Sequence, residues 1–492
     1  MNDAVGAGGA VPVEDAVSFK ELKKQPLYAS RVPIHPKAIH GLFRRIKWAA
    51  LIVLLGAYYI APWLRWDRGP GVPDQALLID MPGRRGYFFW IEIWPQEVYF
   101  LTGLLVLAAF GLFLVTSIGG RVWCGFTCPQ TVWTDLFMWV ERLIEGDRGA
   151  RIRLDKAPLD GSKIAKRSLK HSAWLLIAAA TGGAWIMYFN DAPTVTWAIL
   201  TGNASFAVYF FFGLFTATTY LLAGWAREQV CTYMCPWPRF QAALLDDESY
   251  VVTYQKWRGE PRGPHRRGTS WEGRGDCIAC NQCVAVCPMG IDIRDGLQLE
   301  CIGCGLCIDA CNDVMGKIDR PLNLIALSTE RNQADLAAGR PAERHILRPR
   351  TIIYAAIIVV LGFVLLIGLA LRSSVDVNIL HDRNPLFVTL SDGSIRNGYT
   401  VKILNKTYEP QHYDLRIEGL PGATMAVIGQ DVEGASQLSL LANPDSVTSY
   451  RVFVTAPRAE VTEEAMSITM VVDQQPEGAS ASHRTVFRGP AS

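Results

Sequence analysis

Five stretches of the chain are apolar over about the 20 residues that an α-helix needs to cross a bilayer. They lie at 47–64, 97–118, 172–189, 205–224 and 351–371. Charged segments separate them, and aromatic residues flank several of their ends, as is typical of membrane–water interfaces. A buried helix of a soluble protein can look like any one of these stretches. Five in one chain predict a multi-pass membrane protein with a bundle of about five transmembrane helices.

The pattern changes after residue 371, where short runs with apolar residues at alternate positions replace the long apolar stretches. Turn signals such as Asp392-Gly393, Asn397-Gly398 and Pro421-Gly422 separate these runs. Several short alternating strands joined by turns are typical of an antiparallel β-sandwich. Segment 372–492 is therefore predicted to be a β-sandwich with a docking or structural role.

Lys and Arg are unevenly distributed among the segments between the predicted spans. Segments 119–171 and 225–350 are rich in them, whereas the 190–204 loop has none. Because Lys and Arg accumulate on the cytoplasmic side of membrane proteins, both rich segments and the N-terminal segment 1–46 are predicted to be cytoplasmic. The 372–492 tail is then outside, which is the periplasm of a bacterial cell.

The composition agrees with a membrane protein, since half of the residues are hydrophobic and only 19% are charged. The net charge of +2 gives no reason to expect nucleic-acid binding. The twelve cysteines are more informative, because they fall into two Cys-x-x-x-Cys pairs and one dense block of eight. Such short, repeated spacings favour metal binding over a disulfide framework.

The dense block consists of two runs of four cysteines with the spacing found in bacterial ferredoxins. The runs are Cys277-x-x-Cys280-x-x-Cys283-x-x-x-Cys287 and Cys301-x-x-Cys304-x-x-Cys307-x-x-x-Cys311. With this spacing, three cysteines of a run bind one [4Fe–4S] cluster and the fourth binds the other cluster. One cluster is therefore predicted on Cys277, Cys280, Cys283 and Cys311, and the other on Cys301, Cys304, Cys307 and Cys287. Two structural zinc sites are the disfavoured alternative, because zinc sites do not use two matched runs of four.

With this block the chain divides into seven predicted segments. They are the 1–46 N-terminal segment, a 47–255 four-helix membrane domain, a 256–275 basic linker, a 276–320 ferredoxin-like domain with two [4Fe–4S] clusters, a 321–350 connector, the fifth span at 351–371 and the 372–492 sandwich.

The remaining cysteines form two pairs near the ends of predicted spans, Cys124 with Cys128 and Cys231 with Cys235, each followed by proline. On an α-helix this spacing places both sulfurs on one face, and the helix is expected to bend or end before the proline. Four converging thiolates are a candidate catalytic copper site, because copper(I) prefers sulfur ligands. Met234 and Met138 are further candidate ligands. A reversible dithiol and simple apolar packing are the alternatives.

The chain resembles a known family at these motifs. They are the segment Trp123-Cys124-Gly125-Phe126-Thr127-Cys128-Pro129, the segment Cys231-Thr232-Tyr233-Met234-Cys235-Pro236-Trp237 and the block of eight cysteines. Together they resemble the CcoG/FixG/RdxA family of cytochrome c oxidase accessory proteins. The resemblance implies an immunoglobulin-like tail, a bacterial inner-membrane location and a part in assembling a haem–copper, cbb-type oxidase. It also implies reduction of copper(II) to copper(I) on the cytoplasmic side.

Three hypotheses follow for the activity. In the first, a cytoplasmic electron donor of unknown identity reduces the clusters, and electrons pass to copper(II) near the four membrane cysteines. The copper(I) then goes to a transporter or chaperone that serves the oxidase assembly machinery. In the second, the chain is a quinol-linked electron-transfer subunit. In the third, it is a non-enzymatic, redox-sensing assembly scaffold. Membrane lipid is an expected partner in each case.

Overall fold

The structure is a computed structural model that describes residues 33–69, 71–265, 270–372, 375–429, 434–476 and 478–490. Most of the predicted N-terminal segment and residues 266–269 of the predicted linker lie outside the described residues. The chain forms two compact units. The first comprises Met1–Tyr58, Phe113–Gly183 and Phe206–Thr351, and the second comprises Tyr59–Leu112, Ala184–Ser205 and Ile352–Ser492.

The α-helices of the described residues are numbered here in chain order. They are α1 (Leu42–Ile60), α2 (Val98–Gly119), α3 (Pro129–Glu145), α4 (Arg148–Lys156), α5 (Gly161–Met187), α6 (Ala192–Leu200), α7 (Phe206–Thr219), α8 (Trp237–Leu244), α9 (Lys256–Gly259), α10 (Gln282–Ala285), α11 (Leu306–Lys317), α12 (Glu330–Ala337) and α13 (Pro349–Ala370).

Four helical stretches among the described residues are long and apolar enough to cross a membrane. They are Leu42–Trp63, Pro95–Gly119, Phe206–Ala226 and Pro349–Ala370. Large apolar side chains on them point away from the protein, since Leu105, Val359 and Phe363 are 62%, 69% and 63% exposed. Such surfaces need a non-aqueous neighbour, which lipid provides. These stretches correspond to four of the five predicted spans.

The fifth predicted span, at 172–189, overlaps α5, which ends at Met187 and is not among these four stretches. Charged residues, among them Lys170, occupy the N-terminal part of α5. Gly182 brings α5 close to α7, because a Cβ at Gly182 would lie 2.9 Å from the Phe212 carbonyl oxygen. Trp174 and Ala178 pack in a buried cluster with Phe137 of α3. Packing covers only part of its apolar surface, since Leu175 and Leu176 are 53% and 71% exposed, and the fifth span therefore stays a prediction.

The segment between the first two spans contains a small sheet that the sequence did not predict. Its strands β1 (Leu77–Asp80), β2 (Arg85–Phe88) and β3 (Ile91–Ile93) pair antiparallel in that order. The buried guanidinium of Arg68 stabilises it by donating hydrogen bonds to four backbone carbonyl oxygens, including that of Phe89. A second small sheet pairs β4 (Val251–Tyr254) with β5 (Ile325–Ser328).

The tail is an antiparallel β-sandwich, as predicted. Its strands are β6 (Val375–His381), β7 (Val388–Thr389), β8 (Ile395–Asn405), β9 (Gln411–Glu418), β10 (Thr424–Val427), β11 (Gln437–Ala442), β12 (Ser446–Ala456), β13 (Ala465–Gln474) and β14 (Ser480–Arg488). One sheet has the order β10-β12-β8-β6, with β7 beside β8, and the other has the order β11-β9-β13-β14. Alternate residues such as Tyr399, Leu415 and Val454 are fully buried between the sheets. This alternation is the pattern from which the sandwich was predicted.

The sandwich core generates a prediction about stability. Leu415→Ala removes a fully buried side chain and is expected to lower the local free energy of unfolding by about 2–5 kcal/mol. Leu441→Ala is the matched control, because Leu441 is 43% exposed and its truncation is expected to change that energy by less than about 1 kcal/mol. Hydrogen exchange of tail peptides in the purified full chain, at rising urea concentration, measures both. Equal effects would contradict the core assignment.

Candidate metal centre

The two ferredoxin-type loops share one backbone conformation. Their third and fifth residues all have positive φ, with 53° at Ala279 and 56° at Asn281 in the first loop and 68° at Gly303 and 72° at Gly305 in the second. Gly and Asn adopt this conformation readily, whereas Ala279 does so at about 1–2 kcal/mol. Each loop leads directly into a helix, α10 or α11. The repeat seen in the sequence is therefore also a repeat in the fold.

The first group of cysteines gathers around Cys311. The pKa of Cys311 is raised to about 12, chiefly by burial and also by the neighbouring charges of Cys283, Cys280 and Cys277. These four thiols thus lie within electrostatic reach of one another. They are the four predicted ligands of one cluster, and that ligand assignment stays a prediction. The Arg294 guanidinium lies beside them, and the nearby Cys283 thiolate is among the groups that raise the pKa of Arg294.

The second group gathers around Cys287. Burial raises the pKa of Cys287 to about 12, with a further contribution from the Cys304 and Cys301 thiolates. Burial also raises the pKa of Cys307 well above its usual value, with contributions from the same neighbours. A narrow apolar cavity at this place is lined by several sulfurs of the two loops, namely those of Cys283, Cys287, Cys301, Cys304 and Cys307.

The donor set fits [4Fe–4S] clusters. The eight cysteines are free thiols, and backbone N–H groups donate hydrogen bonds to their sulfurs, as those of Met289 and Ile291 do to Cys287 and that of Gly303 does to Cys301. Such donors stabilise the negative charge of iron-bound thiolates. Burial raises the pKa of five of them, so these thiols hold their protons near pH 7 and metal binding must displace the protons; the five are Cys283, Cys287, Cys301, Cys307 and Cys311.

The first cysteine of each membrane pair lies in a π-helical segment, Trp123–Thr127 or Val230–Met234, and the second cysteine directly follows that segment. The second cysteine closes a wide turn, because Cys128 N donates to Trp123 O and Cys235 N donates to Val230 O, both at 2.8 Å. The α-helical geometry expected for the pairs is therefore corrected to a π-turn, which occurs often at functional sites. The expected helix end before proline is confirmed, since Cys128 and Cys235 are extended with ψ of 128° and 122°.

The four membrane cysteines lie within electrostatic reach of one another, but no three or more His, Cys, Asp or Glu side chains of the described residues are grouped closely enough to hold a metal ion. Burial raises the pKa of Cys124 to about 12, and the charges of Cys128, Cys231 and Cys235 contribute to that shift. The Cys124 thiol donates to Oε1 of the fully buried Gln241 at 3.0 Å. Gln241 lies on α8, which begins at the end of the second motif, so this hydrogen bond joins the first motif to α8.

The candidate methionine ligands differ in their surroundings. Met234 is 63% exposed, whereas Met138 is buried and lines a small cavity together with Cys231. The structure therefore places Met138, rather than Met234, in a shared cavity with a membrane cysteine.

The first membrane motif lies directly against the second ferredoxin loop. Gly125 has no room for a side chain, because a Cβ there would lie 2.9 Å from Ile302 O and 3.2 Å from Cys304 N. Cys124 and Cys231 pack against the same apolar cluster that contains Cys304 and is contacted by Cys287. The membrane thiols and one group of ferredoxin cysteines thus share one packed region.

Arg121 joins the two systems and was not singled out from the sequence. Its Nη1 donates to the carbonyl oxygens of Leu299 and, at 2.9 Å, Cys301, and its Nη2 donates to Pro238 O at 3.1 Å. The same guanidinium counteracts the raised pKa of Cys124. In the sequence, Arg121 is one of many basic residues in a predicted cytoplasmic loop. The one signal that distinguishes it from the others is its position three residues before Cys124.

The apolar spans, the paired cysteine loops and the β-sandwich define a membrane-bound iron–sulfur electron-transfer protein. Family models agree. One described as "4Fe-4S dicluster domain" matches residues 226–330, one described as "4Fe-4S binding domain" matches 101–147, and one described as "IG-like fold at C-terminal of FixG" matches 365–490. The tail is therefore immunoglobulin-like, and the protein carries iron–sulfur clusters. The chain belongs to the FixG/RdxA family.

Relatives of the FixG/RdxA family match the chain over nearly its whole length. The chain is 51% identical to the nitrogen fixation protein FixG of Rhizobium meliloti over 476 residues, which cover 91% of each chain. It is 50% identical to protein RdxB of Cereibacter sphaeroides over 469 residues, covering 94% of this chain and 97% of RdxB. It is 51% identical to RdxA of the same organism over 437 residues, covering 88% of this chain and 91% of RdxA.

Among solved structures, a FixG-related protein from Vibrio parahaemolyticus covers 24% of this chain and 97% of its own length, with 19% identity and a TM-score of 0.21.

The contact at Gly125 generates a prediction. Gly125→Ala forces a methyl group against the Ile302–Cys304 backbone and is expected to destabilise the protein by about 1–3 kcal/mol and to lower iron bound per chain. Gly213→Ala is the matched control, since nothing lies within 4 Å of a Cβ added there. Iron analysis and thermal unfolding followed by cluster absorbance measure the effect. Identical iron content and unfolding in both variants would contradict the close approach.

Proposed function

We propose that the chain reduces copper(II) to copper(I) with electrons taken from a cytoplasmic donor. Each turnover transfers one electron, so one copper(II) becomes copper(I) and the donor loses one electron. When bound, a [4Fe–4S] cluster accepts and releases single electrons. Cys277, Cys280, Cys283 and Cys311 would hold one cluster, and Cys301, Cys304, Cys307 and Cys287 would hold the other. Cys124, Cys128, Cys231 and Cys235 would bind the copper substrate.

The observation that carries the proposal is the packing of the membrane thiols against the second ferredoxin loop. Gly125 lies against the Cys304 backbone, and Cys124 and Cys231 share an apolar cluster with Cys287. Short separation favours electron transfer between the two sites. Thiolates also prefer copper(I) to copper(II), so the same cysteines that bind the substrate favour its reduced form.

The exposure of one ferredoxin cysteine supports an order of transfer. Cys280 is exposed, whereas the other seven ferredoxin cysteines are buried or of intermediate exposure. In the proposed order an external donor meets the loop around Cys280, and electrons leave from the loop around Cys304. Arg294 stands beside the first loop and Arg121 beside the second, and each supplies positive charge near the sulfurs.

The proposed cellular role is copper supply for assembly of a haem–copper, cbb-type cytochrome oxidase. The copper(I) product would pass to a transporter or chaperone of the assembly machinery. The distribution of Lys and Arg supports a bacterial inner-membrane orientation with the N-terminal segment and ferredoxin loops cytoplasmic and the tail periplasmic.

A second candidate occupant of the membrane thiols is a further [4Fe–4S] cluster. The observation in its favour is that the two iron–sulfur family models, at 101–147 and 226–330, each include one membrane cysteine pair. Iron analysis separates the two occupants. Iron equal to two clusters per chain favours copper at the four thiols, and iron equal to three clusters favours a cluster there.

Anaerobic titration of the cluster-reduced protein with copper(II) tests the proposal. Stoichiometric return of the oxidised-cluster absorbance is expected, with copper(I) trapped by a chelator. Replacing all four membrane cysteines with serine is expected to reduce copper(I) formation at least about tenfold, because hard hydroxyl oxygens bind copper(I) poorly.

The variant's cluster absorbance and iron content are the control, since the ferredoxin cysteines are unchanged. Equal copper(I) yields in the variant and the parent protein would refute the assignment of the substrate site. If the reduced clusters do not reduce copper(II) but do reduce a soluble quinone analogue, the result favours the quinol-linked function over copper reduction. If they reduce neither acceptor, the result favours the redox-sensing scaffold.

A further inference from the structure

A basic and aromatic cavity opens at the beginning of the first span. It is lined by His40, Arg44, Arg45, Trp48, Trp139 and Arg142. Its volume is about 590 Å³, within the range of about 300–1,000 Å³ that is usual for small-molecule sites. Neither the ferredoxin loops nor the membrane cysteines contribute a residue to this cavity. The electron-transfer proposal therefore does not account for it.

Two of its arginines have buried donors that find no acceptor. Arg44 Nη1 lies 2.8 Å from both carboxylate oxygens of Asp135, but Arg44 Nη2 is buried without a hydrogen-bond partner among the described residues. Arg142 Nε is likewise buried without a hydrogen-bond partner among the described residues. Burial lowers the pKa of Arg142, and the neighbouring charge of Arg44 lowers it further. Buried guanidinium donors without an acceptor are unfavourable, and an anion at this place would satisfy them.

The nearby acids do not supply that anion. Asp135 is already paired with Arg44 and lies 3.9 Å from Lys47 Nζ. Asp147 accepts a hydrogen bond from the Ala38 backbone N–H at 2.9 Å. Arg44, Arg45 and Arg142 line the cavity, whereas no carboxylate is among its lining residues. The cavity has an excess of positive charge.

The position of the cavity indicates what carries the missing anion. Arg44 and Arg45 lie at the start of the membrane-spanning stretch Leu42–Trp63. Trp48 and Trp139 meet edge to face with ring centroids 5.9 Å apart, and Trp139 is 42% exposed. Tryptophan and arginine at the end of a span lie at the level of the lipid headgroups. Guanidinium groups bind phosphate through paired hydrogen bonds.

We propose that this cavity binds the phosphate group of an anionic membrane lipid. The guanidinium groups of Arg44 and Arg142 contact the phosphate, and Arg45 adds charge at the rim. The two indole rings pack against the glycerol backbone and the first methylene groups. A basic pocket between helices on the side of the membrane rich in Lys and Arg is a known form of acidic-lipid site.

The test is lipid retention by the purified full chain. Protein reconstituted with equal amounts of phosphatidylglycerol and phosphatidylcholine is returned to detergent, and the retained lipid is quantified by mass spectrometry. The parent protein is expected to retain phosphatidylglycerol selectively. Arg142→Gln and Arg45→Gln are each expected to lower that retention about fivefold, as loss of one basic residue near an anionic lipid predicts. Arg44 is left intact because it pairs with buried Asp135.

Arg153→Gln is the matched control, because Arg153 is an exposed residue of α4 that does not line the cavity. It removes the same charge and is expected to leave retention unchanged. Iron content reports that each variant is folded. The proposal would be overturned if Arg142→Gln and Arg45→Gln retained as much phosphatidylglycerol as Arg153→Gln. Displacement of phosphatidylglycerol by millimolar inorganic phosphate would also overturn the lipid assignment and identify a site for free phosphate.

Discussion

The close approach of Gly125 to the Ile302–Cys304 backbone is the contact on which the arrangement of both cysteine systems depends. A side chain at residue 125 would separate the first membrane motif from the second ferredoxin loop. Arg121 reinforces the contact from the same motif region by donating hydrogen bonds to the carbonyl oxygens of Leu299 and Cys301. Asp309 of α11 adds a further link, since its carboxylate accepts the backbone N–H groups of Phe43 and Arg44 at the start of α1. The first span and the ferredoxin region are therefore held together by buried polar contacts as well as by apolar packing.

Burial of the thiols has a chemical consequence. Removing cysteine from water favours the neutral thiol, so the pKa of Cys124 rises to about 12 and that of Cys231 to about 11. Without a metal these groups are protonated near neutral pH and are poor nucleophiles. A cation that binds them must displace protons, and it gains strong interactions in a low-dielectric surrounding. The same reasoning applies to the ferredoxin cysteines, where backbone N–H groups also stabilise thiolate charge. Both systems are thus suited to metal binding rather than to thiol chemistry.

Much of this architecture was predictable because its signals are local. The spacing of the eight cysteines reflects how a short loop wraps around one cluster, the proline after each membrane pair ends a helix, and the alternation of the tail reflects the two faces of a strand. The π-turns were not predictable. A single turn closed by a hydrogen bond between residues i and i+5 leaves no repeat in the sequence that distinguishes it from a turn of α-helix. The internal packing of α5 and the roles of Arg121 and Gln241 depend on neighbours that are distant in the chain. From the sequence alone, Arg121 is one basic residue among many in a predicted cytoplasmic loop.

The central claim is that copper is bound by the membrane thiols beside the second ferredoxin loop. Copper K-edge X-ray absorption of the cluster-reduced full chain, after one equivalent of copper(II) is added without oxygen, tests it directly. The account predicts a copper(I) edge and sulfur neighbours, with the sulfur contribution lost when Cys124 and Cys231 are replaced by serine. Copper that remains copper(II), or that is bound only by nitrogen and oxygen in the unmodified protein, would contradict the account.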